Sequence, residues 1–272
     1  MGSPPVVLRG LTLSGFTLTP AIAVAGGSLR AEDCRFVDNA ASAVLVTGGT
    51  VEVEGATFER NSAPSGGGGG AMRLHGGHTD VSRSTFLANA AREGGALHVR
   101  GAGHVWLRST QFRRNAAAVR GGAIFASNSS VTLTDQSIID DSNRAAAAGD
   151  GHATYADVAA AGGAAITYAL PAPSGYWIAN PVQCRAGEAL PACQQGLHTD
   201  RVVWSLPSAG DQALPFKCSP GFLGSNATDA GTQQSPQCAG HCPAGFYCLG
   251  GATGRIECPR GHYCPAGVPA GV

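Results

Sequence analysis

The chain has no excess of charge of either sign: 18 Lys and Arg stand against 18 Asp and Glu in 272 residues. A neutral chain sets up no field to draw in nucleic acid or an anionic membrane, so no nucleic-acid partner is expected. It contains no run of 18 apolar residues, which excludes a helix that spans a bilayer and predicts no membrane insertion by this segment. It lacks helical periodicity, and 40 glycines with only 13% charged residues suit a turn-rich protein. The opening residues, MGSPPVVLRGLTLSGF, have no basic stretch followed by an apolar one, so they do not form a signal peptide. Cysteine is nearly missing from the first two thirds, where Cys34 stands alone.

What the chain does have is internal repetition, which must be settled before anything else is read. Aligning on the phenylalanine of F-x-x-N gives Phe36, Phe58, Phe86 and Phe112, with Ile138 in a fifth, weaker copy, at spacings of 22, 28, 26 and 26 residues. Three positions on lie Asn39, Asn61, Asn89 and Asn115, with Asp141 in the last copy. A second motif follows each: Gly69-Gly70-Ala71-Met72, Gly94-Gly95-Ala96-Leu97 and Gly121-Gly122-Ala123-Ile124, reduced in the first copy to Ser42-Ala43-Val44. Ahead of each phenylalanine the chain alternates. Leu29 and Ala31, Val51 and Val53, Val105 and Leu107, and Val131 and Leu133 share one face, with Thr79 the exception beside Val81. Period two means half-buried strands.

A unit of about 25 residues made of short strands and turns cannot bury its apolar face alone, and stacked copies solve this. Each strand then pairs with its equivalent about 4.8 Å along the axis, so like lies over like. The expected fold is all-β: a right-handed parallel β-helix with an internal phenylalanine stack and an asparagine ladder. Asn is expected to supply the left-handed backbone at one corner, and the glycine pairs at the next. Phe16 is expected as an earlier member of the stack, and Gly162-Gly163-Ala164-Ala165-Ile166 as a last imperfect copy of the glycine motif. The glycine run Gly66 to Gly70 is read as a flexible corner; a phosphate loop would need Gly-Lys-Ser/Thr after it, and Ala71-Met72-Arg73 follows instead. Repeated F-x-x-N with G-G-A-aliphatic resembles the polymorphic outer-membrane-protein repeat of secreted adhesins and large surface proteins, over about residues 27 to 127. The resemblance implies an adhesive or structural role.

Pro171-Ala172-Pro173-Ser174-Gly175 breaks the pattern, placing β-helix repeats in 1–170 and a cysteine-rich region in 171–272. Cys184, Cys193, Cys218, Cys238, Cys242, Cys248, Cys258 and Cys264 make an even set in a loop-rich segment, which reads as disulfides formed in an oxidising, extracellular compartment. The sequons Asn128-Ser129-Ser130 and Asn226-Ala227-Thr228 fit that compartment. Cys242-Pro243-Ala244-Gly245-Phe246-Tyr247-Cys248 recurs 16 residues later as Cys258-Pro259-Arg260-Gly261-His262-Tyr263-Cys264, and Cys218-Ser219-Pro220-Gly221-Phe222 is a looser relative. These runs are similar to ephrin-receptor-like cysteine-rich modules.

Catalytic and metal chemistry find little support. β-helix hydrolases need carboxylates clustered on one outer face. Asp140, Asp141, Asp150 and His152 come nearest, but Asp141 occupies a turn place, and Glu32, Asp38, Glu52, Glu54 and Asp80 read as scattered. His75, His78, His98 and His104 read as surface histidines, out of register for zinc. No C-x-x-C spacing marks the late cysteines as zinc ligands, and Cys34, aligned with Ala56, Ser84 and Thr110, reads as a buried inert thiol. The expectation is therefore no catalytic, cofactor or metal site. The missing leader and an uncapped first coil mark the chain as a fragment of a larger extracellular or cell-surface protein. Binding or display is the expected function, with a glycan or protein ligand met through outward positions around Arg73, His98, Trp106 and Arg108. A β-helix polysaccharide lyase or hydrolase, and a receptor ectodomain, are the alternatives.

Overall fold

The computed structural model describes residues 4–63, 67–101, 103–134, 136–140, 142–146, 158–161, 164–169, 172–178, 181–183, 202–205, 215–224, 230–233 and 235–269. The chain divides into two compact units. One comprises Met1–Leu133, Ser137–Thr167 and Leu206–Ala213, and the other Thr134–Gln136, Tyr168–Ser205 and Leu214–Val272. The first is the expected parallel β-helix.

Its first sheet stacks Val6–Arg9, Ser28–Glu32, Thr50–Glu54, His78–Ser82, His104–Arg108 and Ser130–Thr134 in that order. The second stacks Thr12–Ser14, Arg35–Val37, Thr57–Glu59, Thr85–Leu87, Gln111–Arg113 and Ile138–Ile139. A third runs Ile22–Val24, Val44–Val46, Met72–Leu74, Leu97–Arg100, Ile124–Ser127 and Val158–Ala161. Between the second and third, wider coils carry a short fourth sheet of Ser62–Ala63, Ala90–Glu93, Ala116–Arg120 and Arg144–Ala145. These strands all pair in parallel, in register in the first three sheets and with one shift, between Ala91 and Glu93, in the fourth.

Register explains the interior. Phe36, Phe58, Phe86 and Phe112 pair coil to coil, fully buried, with ring centroids 4.7, 4.8 and 4.6 Å apart and planes within 4°. The strand spacing imposes that separation. One corner on, Asn39, Asn61, Asn89 and Asn115 form a buried amide ladder. Asn61 donates both its backbone N–H and its Nδ2 to Asn89 Oδ1 at 3.0 Å, and Asn89 does the same to Asn115. Each Nδ2 also donates across to the stacked residue of the coil below, as Asn89 does to the Phe58 carbonyl at 3.0 Å.

Five expectations need correction. The fifth coil places Ile139, not Ile138, against Phe112. Its ladder member is Asn143, which accepts from Asn115 at 3.0 and 2.8 Å and donates to the Phe112 carbonyl. An ionised carboxylate has no donor for that last bond, so the coil takes one extra residue to bring an amide into place; Asp141 itself lies outside the described residues. The positive φ falls on the residue before each asparagine, at Asp38, Arg60, Ala88 and Arg114. Leu13, not Phe16, pairs with Phe36; Phe16 sits in the asparagine place, donates its backbone N–H to Asn39 Oδ1, and is partly exposed. Ala165–Ala169 joins the first sheet, while Val158–Ala161 takes the third-sheet place that follows the glycine motif elsewhere. Of the glycine run, Gly66 lies outside the described residues, and a Cβ on Gly67 or Gly68 would meet the Arg73 or His98 side chain. Within the Gly-Gly pairs the labour divides. Gly69, Gly94 and Gly121 have φ of 74, 60 and 66°, and a Cβ on Gly70, Gly95 or Gly122 would lie within 2.6 Å of backbone atoms.

The second unit is built on one turn used four times. Pro173, Ser219, Pro243 and Pro259 each accept a bond from the N–H three residues on, at 3.1–3.2 Å, with Gly175, Gly221, Gly245 and Gly261 at φ near 84–86°. This is the type II turn, whose third position needs glycine. The proline-rich break in the sequence is thus already the first of these turns. Disulfides join Cys218–Cys238, Cys242–Cys248 and Cys258–Cys264; Cys184 and Cys193 lie outside the described residues. Antiparallel pairs link Tyr176–Trp177 to Phe216–Lys217 and Phe246–Tyr247 to Ile256–Glu257. Gln233, fully buried, brackets Ala172 with bonds of 2.7 Å to its N–H and carbonyl.

Candidate functional site

The outer face of the first sheet gathers four of the solenoid's acids, Glu32, Glu52, Glu54 and Asp80. Register sets two rows along the axis. One runs Arg30, Glu52, Asp80, Trp106, and the other Arg9, Glu32, Glu54, Ser82, Arg108. Glu32, Glu52, Glu54 and Asp80, which read as scattered in the sequence, thus stand on neighbouring strands. Arg30, Glu52, Glu54, Asp80, Ser82 and Arg108 line a shallow groove of about 190 Å³.

Stacking places like charges side by side, Glu32 on Glu54 and Glu52 on Asp80, which is unfavourable unless cations intervene. They do. Arg9 meets Glu32 at 2.6 Å, Arg30 meets Glu32 at 2.7 Å and Glu54 at 3.3 Å, and Arg108 meets Asp80 at 2.5 Å. Arg83 closes on Glu54 as well. Glu52 is the least engaged, 3.8 Å from Arg30 with its side chain 56% exposed. The hydrogen bond from Arg9 holds the Glu32 carboxyl below the usual carboxylate range, and Arg60 does the same to Asp38. A general acid needs the opposite, a carboxyl raised by burial or a like charge. The face presents paired, solvated charges flanked by an aromatic ring, Trp106.

The histidines divide into two groups, and two of them are not on the surface. On the outer side of the third sheet His98 lies between Arg73 and Phe125 in register, with Gly68 against its ring. It is 6% exposed, its ring 5.6 Å from that of His75, with Nε2 3.7 Å from Glu93 and Nδ1 without a partner. Arg120 pairs with Glu93 at 2.9 Å and lies 4.3 Å over the Phe125 ring. On the first sheet His104 is 7% exposed, stacks near Trp106 and shares a 3.0 Å bond with Thr132. Burial drives both rings from 6.5 down to about 4, so both are neutral at pH 7. The sequence reading missed this because the cover comes from residues distant along the chain.

The four outward positions expected to bind therefore split: Trp106 and Arg108 on the first sheet, Arg73 and His98 on the third. Asp140 accepts a 3.0 Å bond from the Ser142 N–H and sits 3.6 Å from Arg113, shaping a turn; Asp150 and His152 lie outside the described residues. A second depression, of about 410 Å³, lies over Ala90, Ala91, Arg92, Ala118 and Val119 of the fourth sheet. Among the described residues no three His, Cys, Asp or Glu converge as a metal site, and no helix is long and apolar enough to cross a membrane. Cys34 is free and buried in the column of Ala56, Ser84 and Thr110, its thiol donating to the Glu32 carbonyl at 3.3 Å. No family model, curated protein or solved structure matches the chain.

Proposed function

We propose that the chain is a binding and display segment of an extracellular or cell-surface protein. In this reading the β-helix offers an extended outer face to a glycan or protein, and the disulfide-rich unit is a second module of the same protein. One observation carries the reading: three of the four first-sheet acids, Glu32, Glu54 and Asp80, are spent in ion pairs with Arg9, Arg30, Arg83 and Arg108. Charges paired in this way suit recognition of a polar partner more than proton transfer. The three disulfides support an oxidising compartment. The repeated F-x-x-N and G-G-A-aliphatic motifs, similar to those of the polymorphic outer-membrane-protein repeat, and the C-P-x-G runs, similar to ephrin-receptor-like modules, support the surface assignment.

A polysaccharide hydrolase or lyase is the second reading, because Glu52, Glu54 and Asp80 share one groove. A panel of acidic and neutral polysaccharides, with and without calcium, separates the two. Binding without release of reducing ends or unsaturated products is the expected outcome, with binding weakened by Arg108→Ala or Trp106→Ala. Product release that disappears in Glu54→Gln or Asp80→Asn would overturn the display reading.

A further inference from the structure

The corner that joins the third sheet to the first is made of glycine: Gly26-Gly27, Gly48-Gly49, Gly76-Gly77, then Gly101 and Gly103. Two constraints require it. Gly27, Gly49, Gly77 and Gly101 have φ of 73, 85, 72 and 58°, and a Cβ on Gly49 or Gly77 would lie 2.4 Å from a carbonyl oxygen of the preceding coil. At Gly101 the crowding ends, for a Cβ there would meet nothing within 4 Å. The next copy of the corner carries a side chain at this place. Arg100 pairs with Ser127, so Asn128 follows in the place of Gly101, at φ 49° and exposed. Asparagine is among the few side chains that tolerate this conformation.

Asn128 differs from the solenoid's other described asparagines in every respect. Asn39, Asn61, Asn89, Asn115 and Asn143 are buried, their amides engaged in the ladder, and none has Ser or Thr two residues on. Asn128 projects into solvent, and Ser130 stands two residues on, with Ser129 between them. The solenoid thus places its acceptor tripeptide on an exposed corner, and the ladder asparagines, where a substituent would break the amide bonds, lack it.

We propose that Asn128 carries an N-linked glycan. The proposal rests on the oxidising, secretory compartment inferred from the disulfides. A lipid-linked oligosaccharide pyrophosphate is the donor. A bond forms between Asn128 Nδ2 and the anomeric carbon, that carbon's bond to the pyrophosphate oxygen breaks, and Nδ2 gives up a proton as the lipid pyrophosphate leaves.

The test is to secrete the full chain from a eukaryotic cell behind an added cleavable secretion signal, treat it with peptide-N-glycosidase in ¹⁸O-water, and map peptides under non-reducing conditions. Asn128 should be recovered as labelled aspartate. Ser130→Ala, which leaves the corner residue untouched, should lose the glycan's mass and keep the strand signature of the wild type; Asn128→Gln should lose the same mass. Unmodified Asn128 in a chain whose Cys218–Cys238, Cys242–Cys248 and Cys258–Cys264 bridges have formed would overturn the proposal alone. Absence of both glycan and bridges would overturn it together with the compartment it rests on.

Discussion

The two units solve the same problem by opposite means. In the solenoid, Phe86 is fully buried between identical rings and Asn89 between identical amides, so order comes from repetition. In the second unit Leu249, Ile256 and Tyr263 are 52, 39 and 76% exposed, and among the described residues three disulfides tie the loops together. A stacked coil gains from each neighbour it touches. A loop-rich segment gains by restricting its unfolded state, about 2–4 kcal/mol per disulfide. Damage should therefore spread along the first unit and stay near the broken link in the second.

The sharpest way to break the contrast is to remove a rung. Phe86→Ala should cost about 3–5 kcal/mol, since the ring is wholly interior and has a phenylalanine on either side. Asn89→Asp should cost less, about 1–3 kcal/mol, by removing the donor to the Phe58 carbonyl. Denaturant unfolding measures both. A midpoint unmoved by Phe86→Ala would mean that the stack is not what holds the coils.

A smaller effect sharpens the contrast by pH. His98 and His104 titrate near 4 when folded against 6.5 otherwise, so the unfolded chain takes up protons first as the pH falls. Stability is then lost from about pH 6.5 downward, and the loss stops near pH 4. The carboxyls held down by arginine, Glu32 and Asp38, act in the same direction but below the usual carboxylate range. Between pH 7 and 5 the solenoid should lose about 1–2 kcal/mol per ring, after discounting for solvent at the edge of each site. The double variant His98→Phe, His104→Phe should flatten that slope. A slope equally steep in the variant would assign the acid sensitivity elsewhere.

How much of this was legible beforehand follows from what each residue contacts. Phe36, Phe58, Phe86 and Phe112 touch their own equivalents, so their spacing alone gives the stack, and the three-strand coil comes with it. The fourth sheet escaped because Ala90-Ala91 and Ala116-Ala117-Ala118 carry no apolar–polar alternation. The fifth rung was misread because a fixed three-residue offset cannot see the extra residue between Ile139 and Asn143. The acidic groove was within reach, since the alignment that stacks Val51 on Thr79 also stacks Glu52 on Asp80. Burial of His98 was not, because its cover includes Gly68, from the coil before, and Glu93.

Hydrogen exchange on the intact chain, with and without reductant, tests the contrast most directly. With disulfides reduced, strand amides such as those of Val53, Val81 and Leu107 should keep their slow exchange. Amides of the second unit that depend on the turns, such as Phe246 bonded to Pro243 and Gly245 bonded to Cys264, should exchange at once. Protection lost in both units on reduction, or kept in both, would contradict an account in which repetition holds one and covalent links the other.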